Sequence, residues 1–222
     1  MNTEDVENKL KHLQSKLHLK YGSFKDEYPE QMLSVMFLNG NEKVLEIGGN
    51  IGRNSLIISS LLNDSKNLVV FESHKLIAKQ LLENKSINNL NFHIINKALS
   101  KMPLIQQLNG WSCYISEIVP NGFIKVDTIT YTDLKKEINI DFDTLVIDCE
   151  GAFYHILVDM PEILENIKTI IMENDYNDYS HKLYVDDVLK KNGFNVVFSM
   201  PLTGHPGVFP KTRDNFYEVW KR

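Results

Sequence analysis

The stretch Glu46–Arg53, which reads EIGGNIGR, decides how this chain folds. It follows the apolar pair Val44 and Leu45 and precedes an apolar-periodic run that ends near Leu62. This order predicts a strand, a glycine turn and a helix, the opening unit of a nucleotide-binding α/β sheet. The glycines allow a tight turn, so a ligand can approach the backbone without meeting a Cβ atom.

The glycine spacing favours one class of ligand over another. A dinucleotide fingerprint needs glycines at the first, third and sixth positions of the turn. Counting from Gly48, these later positions are Asn50 and Arg53, so that fingerprint fails. The acid-x-Gly-x-x-x-Gly order instead resembles motif I of S-adenosylmethionine (SAM) methyltransferases, whose ligand has no phosphate. A second acid, Glu72, ends the next apolar run about 20 residues after the turn and can accept hydrogen bonds from both hydroxyls of a ribose.

Composition indicates an ordinary globular protein of the cytoplasm. The 222 residues are 43% hydrophobic and 24% charged, and the formal net charge is −5 without a basic block. A large electrostatic footprint for nucleic acid is therefore not expected. Two cysteines fit a reduced compartment, the acidic N-terminal residues do not resemble a signal peptide, and no apolar run is long enough to span a bilayer.

Strands alternate with helices along most of the chain, which predicts right-handed crossovers and a parallel sheet. We expect a Rossmann-like α/β fold with a seven-stranded, mostly parallel sheet and helices on both faces. The last strand, Phe216–Trp220, has no crossover helix before it and should pair antiparallel. Residues 1–40 are predicted to form a helical cap or lid and residues 41–222 a SAM-binding domain.

Three segments are candidates for shaping the acceptor pocket. A helix capped by Thr3 and ending near Leu19 either packs over one end of the sheet or forms a lid or a homodimer contact. A small β insertion, at about 100–130 between strands three and four, carries Trp111 and Tyr114, which either stack on a substrate or pack against the sheet. The Pro/Gly-rich loop 200–210 is either a connector or, around residues 203–207, a mobile gate.

Two pairs of acids follow neighbouring predicted strands. Asp148 and Glu150 end the strongest β run, and in an extended chain their side chains point to the same side. Glu173 and Asp175 end the next strand. Because neighbouring strands lie about 4.8 Å apart, the two pairs should converge at the carboxyl edge of the sheet.

Together these motifs resemble the FkbM family of SAM-dependent methyltransferases over more than half of the chain. The chain departs from the family where Asp is usual at Glu46, Ala at Gly49, Pro at Ser73 and Lys at Val146. The loss of that lysine puts in doubt a substrate or charge contact, but not the SAM pocket. The segments that carry the resemblance are Leu45–Gly52, Val70–Ser73, Asn96–Ser100, Val126–Ile129 and Ile147–Gly151.

The resemblance implies methyl transfer from SAM to an oxygen, typically a hydroxyl of a sugar or of a glycosylated or natural-product small molecule. It also implies a set of residues that contact SAM. These are Glu46, Gly48, Gly49, Asn50, Gly52, Ser55, Glu72, Ser73, Ala98 and Asp148.

An aliphatic hydroxyl is a poor nucleophile, so a base or a metal must help to remove its proton. Asp148 or Glu150 is the candidate base, and His155 and His181 are alternatives. Asp148 with Glu173 or Asp175 could instead hold Mg²⁺, a hard cation that favours oxygen ligands, as related sugar O-methyltransferases do.

Two other functions stay open at this level. The chain could methylate nitrogen or a nucleic-acid ribose, although it lacks an Asn/Asp-Pro-Pro-Tyr/Phe motif and is acidic. It could also be a SAM-binding module without catalysis, a reading that the missing lysine favours and the acids oppose.

Overall fold

The apolar runs form parallel strands in the computed structural model, which describes residues 2–203 and 211–222. The chain divides into two compact units, residues 1–96 and 97–222. The part of the predicted gate at 204–207 lies outside the described residues. The helices are α1 Thr3–Gln14, α2 Tyr28–Phe37, α3 Arg53–Leu61, α4 Lys75–Ile87, α5 Tyr131–Glu137, α6 Phe153–Asp159 and α7 Tyr179–Lys191.

The strands follow the predicted order, with most ends within about two residues of the expected ones. In the first unit they are β1 Val44–Ile47, β2 Leu68–Phe71 and β3 His93–Ile95. In the second unit they are β4 Ala98–Leu99, β5 Leu104–Gln107, β6 Cys113–Ile115, β7 Phe123–Val126, β8 Thr128–Ile129, β9 Thr144–Ile147, β10 Thr169–Glu173, β11 Asn195–Met200 and β12 Tyr217–Lys221.

The first unit is a three-stranded parallel sheet with helices packed around it. β1 pairs with β2 and β2 with β3, both parallel. The face of α1 that carries Val6 and Leu10 packs against Val35 of α2 and Ile57 of α3, and all four side chains are fully buried. The N-terminal helix is thus a packing helix of this unit, as one of the two sequence readings proposed.

The start of α1 differs from the prediction. Asn2, not Thr3, is the N-cap, since its side-chain oxygen accepts a hydrogen bond from the backbone N–H of Asp5 at 2.8 Å. Asparagine and threonine both cap helices well, so the sequence alone could not separate neighbouring candidates.

The second unit contains the strand reversal. β9 and β10 are parallel, whereas β12 lies between β10 and β11 and pairs antiparallel with both. The antiparallel last strand is therefore confirmed. The seven-stranded sheet has the strand order β11-β12-β10-β9-β1-β2-β3, so the predicted Rossmann-like fold with a mostly parallel sheet is confirmed as well.

The predicted insertion is a three-stranded antiparallel meander in which β5 pairs with β6 and β7. A further parallel pair, β4 with β8, places Ala98 opposite Thr128. Two-residue strands carry no periodic signal, and the sequence analysis missed this pair.

A buried ion-pair network fixes α7 on β12. Lys182 is 4% exposed, and its ammonium pairs with Asp186 and, at 3.0 Å, with Glu218. The Trp220 indole N–H also donates to Glu218, at 3.0 Å. Buried charges of this kind need such partners, so the start of α7 is held in one place.

No helix within residues 2–203 and 211–222 is both long enough and apolar enough to cross a membrane.

Candidate functional site

The glycine turn follows β1 and is closed by backbone hydrogen bonds. The N–H groups of Gly48 and Gly49 donate to the carbonyl oxygen of Phe71 at 3.0 and 2.8 Å. Gly52 has φ +94°, and a Cβ atom there would lie 2.4 Å from Leu81 Cδ1. At Gly49 a Cβ atom would lie 2.2 Å from Val70 Cγ1, so crowding by this valine explains why the chain has glycine where the FkbM family usually has alanine.

Glu46 and Ser55 lie beneath the turn. Glu46 is 3% exposed, Ser55 is fully buried, and the Ser55 hydroxyl donates to the Glu46 carboxyl at 2.5 Å. Burial raises the pKa of Glu46 to about 8. Both residues were predicted to contact SAM; in this structure they join the end of β1 to the start of α3, and a contact with SAM stays a prediction.

The raised pKa of Glu46 makes the stability of the protein depend on pH. The folded state holds this proton up to about pH 8, whereas the unfolded chain releases it near pH 4.5, so the folded state loses stability as the pH rises between these values. We expect Glu46→Gln, which cannot ionise, to gain roughly 2–4 kcal/mol relative to the wild type between pH 4.5 and pH 8.5. Urea unfolding of both proteins at the two pH values measures this gain. A stability difference that is the same at both would contradict the assignment.

Glu72 follows β2 and faces the turn. One carboxyl oxygen accepts the backbone N–H of Asn50 at 2.9 Å, and the other accepts that of His74 at 2.7 Å. The side chain is 6% exposed, and burial raises its pKa to about 7 although both N–H groups lower it. Each carboxylate oxygen has a second lone pair, so Glu72 can still accept the two hydroxyls of a ribose.

Neighbouring residues hold this geometry in place. Asn50 has the left-handed φ of +46°, which presents its N–H to Glu72. The side-chain amide of Asn96 donates to the carbonyl oxygens of Glu72 and Ser73 at 2.8 and 3.1 Å. The predicted SAM contacts Gly48, Asn50, Glu72 and Ser73 therefore belong to one hydrogen-bonded turn.

A residue that the sequence analysis missed, Glu27, joins this turn from the segment before α2. Its carboxylate accepts from the Asn50 side-chain amide at 2.8 Å and from the Arg53 guanidinium at 2.6 Å. Arg53 also donates to the Ser23 carbonyl oxygen at 3.1 Å. Glu27 has the left-handed φ of +53°, and burial raises its pKa. The contacts span 23 and 26 residues, so no local pattern could have indicated them.

Glu27 should act on SAM binding through Asn50. We expect Glu27→Gln to weaken SAM binding about tenfold, because the neutral amide loses the charge that pairs with Arg53 and adds an N–H beside its guanidinium. Titration calorimetry with SAM measures the change. Asp26→Asn is the matched control, since Asp26 pairs with the same arginine at 3.3 Å but is 61% exposed, and exposed ion pairs contribute little. Equal effects of the two substitutions would show that Glu27 has no special role.

The four acids of the second unit, Asp148, Glu150, Glu173 and Asp175, form an acid cluster after β9 and β10. Asp148 and Glu173 each present a carboxylate oxygen within 4.8 Å of the other. Asp175 accepts the Gly151 N–H at 2.8 Å, and its pKa is raised to about 7, first by burial and then by Glu150. The predicted convergence of the two strand ends is therefore observed.

One premise of that prediction is wrong. The chain is not extended through Glu150, which has φ +54° and stands in a turn with Gly151 at φ +75°. The alternation of side-chain directions expected for Asp148 and Glu150 therefore stops where the strand ends. Glu150 is exposed. Cys149 between them is half-buried, and desolvation raises the pKa of its thiol well above the usual value.

The metal set predicted from sequence stays a prediction. Asp148 and Glu173 together offer oxygen ligands that suit a hard divalent cation. Asp175 does not join their group and instead accepts the hydrogen bond from Gly151.

The two histidines considered as bases lie together on neighbouring helices. His155 is on α6 and His181 on α7, with ring centroids 5.4 Å apart. Burial, followed by His181, lowers the pKa of His155.

The strand order and the reversed β12 define the Rossmann-like fold of class I SAM-dependent methyltransferases. An O-methyltransferase from Bacillus cereus in complex with SAH aligns with a TM-score of 0.56 at 15% identity, over 100% of this chain and 92% of that one. A fibrillarin from Aeropyrum pernix with natively bound SAM gives 0.54 at 11% identity, over 89% and 75%. A ribosomal-protein methylase from Lactobacillus delbrueckii subsp. bulgaricus gives 0.55 at 12%, over 92% and 81%.

No family profile and no curated protein sequence matches this chain. At such low identities the structural likeness establishes the fold alone, and membership of the FkbM family stays a prediction.

Proposed function

We propose that this protein is a SAM-dependent O-methyltransferase whose acceptor is a hydroxyl of a neutral sugar or of a glycosylated small molecule. The observation that carries the proposal is Glu72, whose carboxyl lies 2.9 Å from the backbone N–H of Asn50 in the glycine turn. A buried carboxyl with free lone pairs at this point suits a ribose. The turn lacks the dinucleotide glycine order, and solved structures of the same fold hold SAM or SAH.

The residues have separate roles in this proposal. Glu72, Ser73 and the backbone of Gly48–Asn50 bind the nucleoside and the amino-acid part of SAM. Glu46, Ser55, Gly49 and Gly52 shape the turn from beneath. Bound SAM supplies an electrophilic methyl group, and much of the acceleration comes from positioning the acceptor oxygen in line with it.

Deprotonation of the acceptor is assigned to the acid cluster. Asp148 is the proposed base that takes the hydroxyl proton, and it lies in the acid cluster with a carboxylate oxygen close to that of Glu173. The same pair could hold Mg²⁺, which would lower the pKa of a bound hydroxyl. One of the similar structures is a methylase of a ribosomal protein, so the acceptor class rests on the absence of a basic block and on the acids.

The proposal is tested in two stages. Titration calorimetry with SAM, SAH and NAD⁺ should show binding of the first two only; failure of both to bind would end the proposal. Transfer of a tritiated methyl group from SAM to a panel of methyl glycosides, with Mg²⁺ or EDTA, then tests the reaction. Loss of transfer in EDTA indicates the metal, whereas SAM binding without transfer to any hydroxyl compound favours the non-catalytic module.

A further inference from the structure

Four aromatic rings of the second unit form a cluster on α6 and α7, the helices that follow the acid cluster in sequence. Tyr154 and His155 stand at the start of α6, and His181 and Tyr184 stand in the first half of α7. Tyr154 is four positions after Glu150, a distance of at most about 14 Å along the chain. These four side chains are called the ring cluster below.

The rings are ordered against one another. The Tyr154 ring stacks on the His181 imidazole, with centroids 3.7 Å apart and planes 4° from parallel. His155 and Tyr184 stand nearly perpendicular to Tyr154, with centroids 4.9 and 5.1 Å from it. Stacked and edge-to-face pairs of this kind are favourable, so they hold the rings in place before any ligand binds.

The outer part of the ring cluster is open to solvent. His155 is exposed, Tyr184 is 38% exposed, and the neighbouring Val158 is 48% exposed. The Tyr154–His181 stack joins α6 to α7. Packing of the two helices does not require aromatic side chains at the exposed positions of His155 and Tyr184. Lys182, one residue after His181, is fixed by its buried ion pair with Glu218, so this aromatic surface rests on a rigid helix.

We propose that the ring cluster is the acceptor subsite and that it takes the C–H face of a neutral saccharide ring. This proposal rests on the function proposed above and adds where the acceptor binds and by which chemistry. The face of an aromatic ring carries partial negative charge and attracts the weakly positive C–H groups of a sugar, while the nearby carboxylates accept its hydroxyls.

Charge argues against a phosphorylated ligand at the same place. The residues that surround the ring cluster in sequence include the acids Glu150, Asp159, Asp175 and Asp178. The lowered pKa of His155 keeps this imidazole neutral near pH 7, so it does not offset them. A phosphate or a nucleic-acid backbone would be repelled, whereas an uncharged saccharide would not.

A second exposed aromatic surface is an alternative position for the acceptor subsite. Trp111 and Tyr114 of the meander are 51% and 47% exposed and were the sequence-based candidates for stacking on a substrate. Tyr114 makes an edge contact with Phe123 of the same meander. Unlike the ring cluster, these residues do not adjoin the acids in sequence.

Saturation-transfer NMR with methyl α-D-glucopyranoside, methyl α-D-mannopyranoside and methyl α-L-rhamnopyranoside, on the SAH-bound full chain, tests the proposal. At least one sugar should receive saturation at its ring C–H protons. Tyr184→Leu and His155→Ala should each reduce this signal at least threefold and raise the KM for that sugar at least fivefold. Tyr184→Phe keeps the ring face and should stay within twofold of the wild type, which separates stacking from loss of fold.

Two results would overturn the proposal. The first is a signal that survives in Tyr184→Leu and His155→Ala but is lost in Trp111→Ala, which would move the subsite to the meander. The second is the absence of a signal from all three sugars. This result counts against the proposal whether or not adenosine monophosphate, tried as a phosphorylated ligand, binds in their place. The SAM affinity of the ring-cluster variants should stay within twofold of the wild type. Failure of SAM to bind the wild type is therefore a separate result that concerns the proposed function.

Discussion

Glu72→Ala should weaken SAM binding at least a hundredfold, the largest effect on affinity expected from any single substitution in this chain. The change removes the acceptor for two ribose hydroxyls and also leaves the N–H groups of Asn50 and His74 without their carboxylate. Each unsatisfied buried donor costs about 1–3 kcal/mol, so the glycine turn itself should rearrange. Titration calorimetry with SAM and SAH measures the loss.

The pH dependence of SAM binding gives this prediction a control. The pKa of Glu72 is about 7 without ligand, and the ribose hydroxyls bind the ionised form best. Affinity should therefore rise from pH 6 to pH 8 in the wild type and approach a tenfold change per unit on the acid side. Glu72→Gln cannot ionise, so its weaker binding should lose this rise. A wild-type affinity that is constant over this range, or tight binding by Glu72→Ala, would contradict the assignment to the ribose.

Asp148→Ala should lower the turnover of methyl transfer by about 10²–10⁴-fold, the usual contribution of a general base, and leave the dissociation constant of SAM within threefold. Asp148 lies close to Glu173 in the acid cluster. Single-turnover transfer of a tritiated methyl group to the best sugar of the panel measures the chemical step. A second variant, Asp148→Asn, keeps the shape of the side chain but removes its basicity, and its turnover should fall as well.

Substitutions of two other acids provide a control and an alternative for this second prediction. Asp187→Asn, an exposed partner of Lys191 on α7, is the control that should leave turnover unchanged. If Asp175→Asn carries the loss instead, the base is the buried carboxyl whose pKa is about 7. Unchanged turnover in Asp148→Ala, Asp148→Asn and Asp175→Asn together would remove the acid cluster from the proposed chemistry.

The order of elements could be predicted because each carries a strong local signal. Short apolar runs, glycine turns and amphipathic segments differ in period, and their alternation predicts a parallel sheet with right-handed crossovers. The reversed β12 followed from the lack of a helix between Met200 and Phe216 in the sequence. The two-residue pair β4–β8 gave no such signal.

The site was predicted less completely, for three physical reasons. The hydrogen bond from Ser55 to the buried Glu46 carboxyl could not be predicted, since a strand pattern does not say which neighbour a buried side chain meets. The position of Glu150 depends on a left-handed backbone that glutamate seldom adopts. The contacts of Glu27 with Asn50 and Arg53 join distant parts of the chain, and only tertiary structure brings them together.

The position of β12 also constrains how the second unit is assembled as the chain leaves the ribosome. β10 and β11 are synthesised before β12, yet both pair with β12 and not with each other. Until β12 emerges, β10 lacks its partner on that side and β11, with Val196 and Val197 still exposed in the finished fold, has no place in the sheet. Unpaired apolar strands of this kind promote aggregation. Docking of Tyr217–Lys221 is therefore the step that gives both strands their partner and closes these open edges.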